Sequence, residues 1–222
     1  MAEFYGEKPK RFSREWWPYF WLYYKWHTIG IAVALLIITT TVVDIINRER
    51  YDLEIVYLGS QHIAEESLDN VTHSLTDAIS DADGNGEREI IAIQLNVADG
   101  QGSIELTSAY RQKRDLELST NKYAYMYIYT KPEAESILSL NGIDSLYQSA
   151  EKWYNGDLSE VETVCANDGK PYAISLKNSS ILKENDIDSE NLFVMIKNDE
   201  YCKEKSEIAL NNAVSAANKL VK

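Results

Sequence analysis

The sequence predicts an α/β fold: one transmembrane helix followed by a single domain, in which a mostly parallel sheet has helices on both faces. Three observations predict this fold class. An uncharged apolar run lies near the N-terminus, strand-like and helix-like patterns then alternate three times, and no long linker or repeat interrupts residues 51–222. Such alternation is typical of parallel strands joined by helical crossovers. A chain of 222 residues has room for an anchor and one ordinary domain.

The anchor is predicted at residues 28–47. No charged residue occurs from Thr28 to Val43, and two isoleucines extend the apolar run beyond Asp44. About 20 helical residues cross the roughly 30 Å hydrocarbon layer of a bilayer. Directly upstream, WWPYFWLYYKWH places eight aromatic side chains within twelve residues. Because such rings favour the headgroup level, we expect an aromatic belt at the lipid bilayer interface.

The basic residues predict the orientation of this helix. Five of them lie in residues 1–27, whereas only two closely follow the apolar run. The positive-inside bias then places residues 1–27 in the cytoplasm and residues 51–222 outside the cell, on a single-pass protein of the cell membrane. The segment VVDIINRERY after the run has no small-x-small cleavage site, which favours an uncleaved signal anchor.

The net charge of −13 is unevenly distributed. Residues 1–27 carry a net +2 and the charges of residues 28–50 cancel, so residues 51–222 carry −15. This domain would repel a phosphate backbone, and we expect no nucleic-acid partner. A hydrophobic content of 45% predicts a folded domain rather than a disordered one.

The first elements of the domain follow from hydrophobic periodicity. LEIVYL at 53–58 predicts a short buried strand. Apolar residues recur at spacings of four and three over 63–80, which predicts a helix. Apolar residues alternate over 91–97 as in a strand, and a second helix is expected over 103–116.

The segment YAYMYIY at 123–129 is the clearest strand pattern. Four tyrosines fall on one face, where we expect them to pack under a helix rather than to bind a sugar or peptide. Thr130 and Glu133 fit a capping box with Pro132 in the first turn, so a helix should follow directly and end at the Asn-Gly pair at 141–142.

The later elements are less regular. They are a helix near 144–154, strands at 161–164, 172–176 and 192–197, and a closing helix over 203–221. Four residues are the predicted core, each on a strand expected to be covered on both faces: Leu95, Met126, Ile128 and Val194.

Residues 169–197 (GKPYAISLKNSSILKENDIDSENLFVMIK), followed by an alanine-rich helix, resemble the end of the first lobe of extracellular solute-binding proteins of bacterial ABC transporters. The order of YAYMYIYT and the capped helix KPEAESIL resembles the same lobe. The chain as a whole is similar to poorly characterised membrane-anchored proteins of Clostridia-type bacteria, whose tails carry a YYKWH-like segment before the span. The resemblance implies one extracytoplasmic lobe, since residues 51–222 are too few for two.

Gly59, Ser60, Gln61 and His62 are the candidate ligand-binding residues. They follow the first strand, at the carboxyl edge where open α/β sheets bind ligands. Neither GxGxxG nor GxxxxGK[ST] is present, so nucleotide binding is not indicated. The alternative is a plain turn whose serine caps the next helix.

Asp81, Asp83 and Asn85, followed by Gly86, match the opening of a calcium loop. The twelfth position of such a loop is Ala92 here, so the bidentate glutamate of a complete site is missing. A turn rich in Asp, Asn and Gly has the same sequence without a metal. Calcium and a plain turn are therefore both open, and no other cofactor is indicated.

The cysteines and histidines of the exported part give no catalytic motif. Cys165 and Cys202 are candidates for one disulfide, because oxidation is permitted outside the cell. His62 and His73 belong to no HExxH, GxSxG or Cys-His signature. We therefore expect that the protein is not an enzyme.

These observations favour a non-enzymatic, membrane-tethered extracytoplasmic binding or accessory domain, associated with a transporter or a cell-envelope complex. The alternative is a structural interaction protein that docks a membrane partner through its aromatic tail and binds no small molecule. A pocket at the carboxyl edge near Gly59 would favour binding, whereas a flat edge with an exposed apolar patch would favour docking.

Overall fold

The computed structural model of the chain describes residues 9–46, 51–82, 84–96, 104–140, 142–202 and 207–222. The chain divides into two compact units, Met1–Glu49 and Arg50–Lys222. In the described residues, the first unit contains one apolar helix and the second contains a six-stranded sheet with helices. The protein is thus mixed α/β with an N-terminal apolar helix.

Helix α1 (Trp16–Ile46) is longer than predicted, because it begins within the aromatic segment instead of after it. Its part Trp16–Thr41 is long and apolar enough to cross a membrane, judged by length and composition. The hydroxyl of Thr39 donates to the carbonyl of Leu35 at 2.8 Å. A polar side chain that bonds within its own helix needs no water, as an apolar environment requires.

Aromatic rings stack along the first turns of α1. The ring centroids of Trp16 and Phe20 lie 4.8 Å apart, since residues at a spacing of four meet on one helix face. Trp17, Trp21 and Trp26 are 57%, 58% and 74% exposed. This end of α1 therefore presents large amphipathic rings to its surroundings.

The elements of the second unit begin with β1 (Leu53–Gly59), α2 (Glu65–Leu75), β2 (Ile90–Asn96), α3 (Ile104–Thr120), β3 (Met126–Thr130) and α4 (Lys131–Leu138). They continue with α5 (Ile143–Leu146), α6 (Ala150–Trp153), β4 (Thr163–Cys165), β5 (Pro171–Ser175), α7 (Ser180–Glu184), β6 (Leu192–Ile196) and α8 (Glu207–Leu220). Every predicted strand is present, with ends shifted by a few residues.

The strands form one sheet in the order β2-β1-β3-β6-β5-β4. β1 pairs parallel with β2 on one side and with β3 on the other, as expected for helical crossovers. β6 is antiparallel to β3 and β5, and β4 is antiparallel to β5, so the sheet predicted as mostly parallel is mixed. Only residues 166–170 separate β4 from β5, too few for the crossover that a parallel pair requires.

Apolar side chains cover both faces of the sheet. One face packs against α2 and α8 and includes three of the four predicted core residues, Met126, Ile128 and Val194. The fourth, Leu95, is half-buried, because β2 is the edge strand of the sheet. The opposite face packs against α4 and part of α3.

The tyrosines of the third strand do not share one face as predicted, because β3 begins only after Tyr125. Tyr127 and Tyr129 are fully buried beside Tyr147, and the hydroxyl oxygens of Tyr129 and Tyr147 lie 2.5 Å apart. Tyr125 packs on the other face, and Tyr123 is 40% exposed. Burial leaves no ring of Tyr127 or Tyr129 available to stack on a ligand.

Helix α4 begins where the capping box was predicted, but the box does not form. Thr130 is the N-cap residue and makes no side-chain cap hydrogen bond. Glu133 instead accepts a hydrogen bond of 3.0 Å from Nη1 of Arg114, a residue of α3 that is 7% exposed. A guanidinium removed from water needs a carboxylate partner, and this pair draws Glu133 away from the helix end.

Other helices also differ from their predicted extents. α2 ends at Leu75 and continues as the 3₁₀ turn Thr76–Ala78. The helix predicted near 144–154 is two short helices, since Tyr147 between them bridges to the sheet at Lys197. α7 has no counterpart in the prediction. The first residues of the closing helix, 203–206, lie outside the described residues.

Lys197 follows β6 directly and is 1% exposed. Its ammonium donates to the carbonyls of Leu118 and Asn121, at 3.1 and 2.7 Å, and lies 5.6 Å from the ring centre of Tyr127. Burial lowers the pKa of Lys197. Carbonyls at a helix C-terminus lack partners within the helix, so this lysine fastens the end of α3 to the sheet.

Residues 51–222 should unfold in one cooperative transition when produced without residues 1–50, because both apolar clusters form within this unit. In that fragment, Ile128→Ala should lower the free energy of unfolding by about 2–5 kcal/mol, since it leaves a cavity in the core. Chemical denaturation measures both quantities.

Leu116→Ala is the matched control, because Leu116 on α3 is 61% exposed. Substitutions at such positions change stability by about 0.5 kcal/mol or less. Equal denaturation midpoints for the two variants, or a fragment without a cooperative transition, would contradict this account of the core.

Candidate functional site

The carboxyl ends of β1 and β3 form the switch point of the sheet. From β1 the chain passes through α2 on one face to β2, and it returns through α3 on the other face to β3. Leu58 pairs with Tyr129, so the two strands end level with each other. Connections that leave toward opposite faces open a crevice between them, which is where open α/β sheets bind ligands.

Gly59 ends β1 and lies against Thr130, which ends β3. A Cβ added at Gly59 would come within 2.7 Å of Cγ2 of Thr130 and closer still to the hydroxyl of Tyr57. The ring of Tyr57 therefore fills the space beside Gly59 and reaches the carboxyl edge. Glycine is required here by the close approach of these side chains.

Gln94 of β2 positions the loop after β1. Its side-chain oxygen accepts from the backbone N–H of Ile63 at 3.2 Å, and its amide nitrogen lies 2.9 Å from Nδ1 of His62. The side-chain oxygen of Gln94 already accepts from Ile63, so the group that faces His62 is the Gln94 amide nitrogen. That nitrogen donates, and Nδ1 of His62 accepts. In this arrangement neutral His62 carries its proton on Nε2. Gln61 and His62 are exposed, and Ser60 is half-buried.

Two helices begin at this edge, and neither has a side-chain cap. Ala64 is the N-cap residue of α2, so the serine cap considered for Ser60 is wrong. Thr130, at the start of α4, makes no cap hydrogen bond through its side chain. The first N–H groups of a helix lack partners within it, and the helix dipole makes that end positive. The first N–H groups of α2 can therefore donate to an anionic group of a ligand. At α4 the N–H of Lys131 already donates to Asn191 and Pro132 has no N–H, so the donor there is the N–H of Glu133.

An ion pair borders the same edge. Nζ of Lys131 lies 2.7 Å from Oε1 of Glu162, and this hydrogen bond raises the pKa of Lys131. The backbone N–H of Lys131 donates to the carbonyl of Asn191 at 2.8 Å, which fixes the start of α4 against the loop before β6. Exposed ion pairs contribute little to stability, so Lys131 can exchange Glu162 for a ligand anion at small cost.

The acidic turn proposed for calcium has its oxygen atoms engaged by the backbone. The two carboxylate oxygens of Asp81 accept from the N–H groups of Gly84 and Gly86, at 2.6 and 2.8 Å. Oδ1 of Asn85 accepts from a backbone N–H two residues on, at 2.7 Å. Asp83 lies outside the described residues. Among the described side chains, no group of three or more His, Cys, Asp or Glu is arranged to hold a metal ion. A plain turn accounts for these contacts.

Neither cysteine takes part in a disulfide. Cys165 is exposed at the end of β4, and Cys202 is buried. Burial raises the pKa of the Cys202 thiol. His73, the other histidine outside α1, is exposed on α2. None of these side chains lies in the loops that directly follow β1 and β3.

Lys131, Glu162 and Gln94 belong to this edge and were not among the predicted site residues. A polar residue within an apolar strand is a signal that finds Gln94. Lys131 follows β3 as Ser60 follows β1, so the same edge rule selects it. Glu162 precedes an antiparallel strand, and only the topology of the second half of the sheet places it here.

Comparisons of the chain with protein-family models, with curated proteins and with solved structures found no match. What this edge binds must therefore be inferred from its own residues.

Gly59→Ala should lower the free energy of unfolding by about 1–3 kcal/mol, because the added Cβ overlaps the side chains of Tyr57 and Thr130. Ser60→Ala, one position on, should change stability by about 0.5 kcal/mol or less. Chemical denaturation of the full chain in detergent compares them. Equal midpoints would show that the Tyr57 ring does not occupy this space.

Proposed function

We propose that the chain is a membrane-tethered extracytoplasmic binding domain that holds a small polar solute at the carboxyl edge of β1 and β3 and catalyses no reaction. One observation carries this proposal: α2 and α4 begin at that edge, pack on opposite faces of the sheet and have no side-chain caps. The donors for a ligand are the first N–H groups of α2 and the N–H of Glu133 in α4, because the N–H of Lys131 donates to Asn191 and Pro132 has none.

The charges at this edge favour a solute that carries both signs. The helix starts and the ammonium of Lys131 suit a carboxylate. Glu65 and Glu66 in the first turn of α2, together with Glu162, suit a cation. A solute with a carboxylate beside an ammonium group, such as a free amino acid, meets both requirements.

The membrane part of the proposal is supported by α1. Its 31 residues extend for about 46 Å, which exceeds the roughly 30 Å hydrocarbon layer. The exposed tryptophans at its start suit the headgroup level. Basic residues concentrate before the apolar run, so we infer that residues 1–27 are cytoplasmic and the domain lies outside the cell.

We infer that this tethered solute-binding domain works beside a transporter or a cell-envelope complex. This part of the proposal is supported by the sequence pattern of residues 169–197, which resembles one lobe of ABC-transporter solute-binding proteins. In the fold, that segment supplies β5, α7 and β6. The resemblance and the lack of a catalytic signature in the sequence favour binding over catalysis.

A second candidate is a protein that docks a membrane partner and binds no small molecule. The exposed rings of Trp17, Trp21 and Trp26 favour it, because aromatic side chains are enriched at protein interfaces. The two candidates differ in one property, which is whether a solute stabilises the domain.

A free amino acid at millimolar concentration should raise the thermal midpoint of the full chain in detergent, because a ligand that binds only the folded state stabilises it. The probes are the twenty standard amino acids, tested singly and followed by intrinsic fluorescence. Lys131→Met should reduce the shift, since it removes the cation at the edge.

Lys183→Met is the matched control, because Lys183 is an exposed lysine of α7 and should leave the shift unchanged. A wild-type midpoint that no amino acid moves would favour the docking candidate. A shift that survives Lys131→Met but not Lys183→Met would place the site elsewhere.

The orientation gives a separate prediction. A protease added outside intact cells should digest the domain after Arg50 and leave residues 1–27 protected, because the membrane shields the cytoplasmic side. Epitope tags at the two ends, read on a blot, report each side. A protected domain with a digested tail would reverse the orientation.

A further inference from the structure

The two edges of the sheet differ in how they are protected. β4 forms one edge with only Thr163–Cys165, and its register with β5 shifts between Val164 and Cys165. Short and irregular edge strands are poor templates for another strand. β2 forms the other edge with the seven residues Ile90–Asn96. This second edge is long enough for a peptide of about 23 Å to pair along it.

β2 lacks the features that usually block an edge. All seven residues pair in register with β1, and in the described part of the chain no strand pairs with the outer side of β2. The sequence IIAIQLN has no charge and no proline. Ile91 and Ile93 are half-buried, so apolar surface remains beside the edge. An uncharged regular edge of this kind accepts an added strand.

The charged residues around β2 indicate which kind of segment can bind its outer edge. Exposed Glu87 and half-buried Glu89 precede the strand, with exposed Arg88 between them, and α2, which packs beside it, presents exposed Asp69. Three carboxylates against one guanidinium leave this part of the surface negative. A second copy of the domain would bring another net charge of −15 to this edge and be repelled. A segment with lysine or arginine at its ends is attracted instead.

We propose that the outer edge of β2 binds an extended, positively charged segment of a partner protein by β-strand addition. Backbone hydrogen bonds to β2 give affinity, and apolar side chains at alternate positions of the segment rest beside Ile91 and Ile93. Basic residues at one end of the segment pair with Glu87 and Glu89, which lie at the start of β2. This surface shares no charged residue with the proposed solute site after β1 and β3.

The test uses the full chain in detergent and a labelled synthetic peptide of seven alternating valine and threonine residues, with two lysines at each end. One control peptide has proline in place of its central valine, which removes a donor and blocks pairing. A second control has glutamates in place of the lysines. Fluorescence anisotropy should show binding of the lysine peptide, with both controls at least about tenfold weaker, as the loss of one or two modest contacts gives.

The variant Glu87→Lys/Glu89→Lys should reverse the preference, so that the glutamate peptide binds more tightly than the lysine peptide. Glu184→Lys, on exposed α7, is the matched control and should leave the preference unchanged. Hydrogen exchange should show that the bound lysine peptide protects backbone amides of β2.

Three results would overturn the proposal. They are equal binding of the lysine and proline peptides, a preference that Glu87→Lys/Glu89→Lys does not reverse, and protection of amides outside β2. Light scattering that shows a dimer whose formation excludes the lysine peptide would assign the edge to a second copy of the chain instead. The peptide experiment uses no amino-acid solute, so a negative result in it would not contradict the proposed solute site.

Discussion

The parallel pairing of β1 with a strand on each side is the constraint on which the rest of the domain depends. A parallel strand needs a crossover, and right-handed crossovers that run in opposite directions along the sheet, from β1 to β2 and from β2 back to β3, pack on opposite faces. α2 therefore packs on one face, and α3 returns across the other. The ends of β1 and β3 then lie level, with Gly59 against Thr130. The switch point at this edge is a consequence of chain topology, before any particular side chain contributes.

The antiparallel second half of the sheet makes this edge rigid. β6 is buried along its whole length between β3 and β5. Beyond its end, the ammonium of Lys197 holds the carbonyls of Leu118 and Asn121, so the crossover helix α3 is fastened where it reaches β3. At the opposite end of β6, the carbonyl of Asn191 fixes the start of α4 through the N–H of Lys131. The two ends of one strand thus hold both the end of α3 and the start of α4.

Local patterns predicted most of the fold, and long-range contacts account for the rest. Short apolar runs and, over 91–97 and 123–129, alternating apolar residues predicted all six strands. The prediction of a capping box at Thr130 and Glu133 was wrong. The buried guanidinium of Arg114, distant in the sequence, donates to the carboxylate of Glu133 instead. The direction of β6 depends on which strands flank it, and no local pattern contains that information.

The site was only partly predictable for the same reason. The position of Gly59 and its neighbours after β1 followed from the edge rule alone. The same rule selects Lys131, which follows β3. Glu162 precedes the later antiparallel strand β4, so the rule does not select it. The missing caps of α2 and α4 are also visible only in the fold, since Ser60 and Thr130 both stand where a sequence pattern predicts a cap.

The central claim is that the N–H groups at the starts of α2 and α4 hold a solute. Hydrogen exchange of the full chain in detergent, with and without the amino acid that gives the largest thermal shift, tests it most directly. The account predicts slower exchange at Glu65, Glu66 and Glu133, with little change in the core strands. Unchanged exchange at both helix starts while the solute protects another region would contradict it.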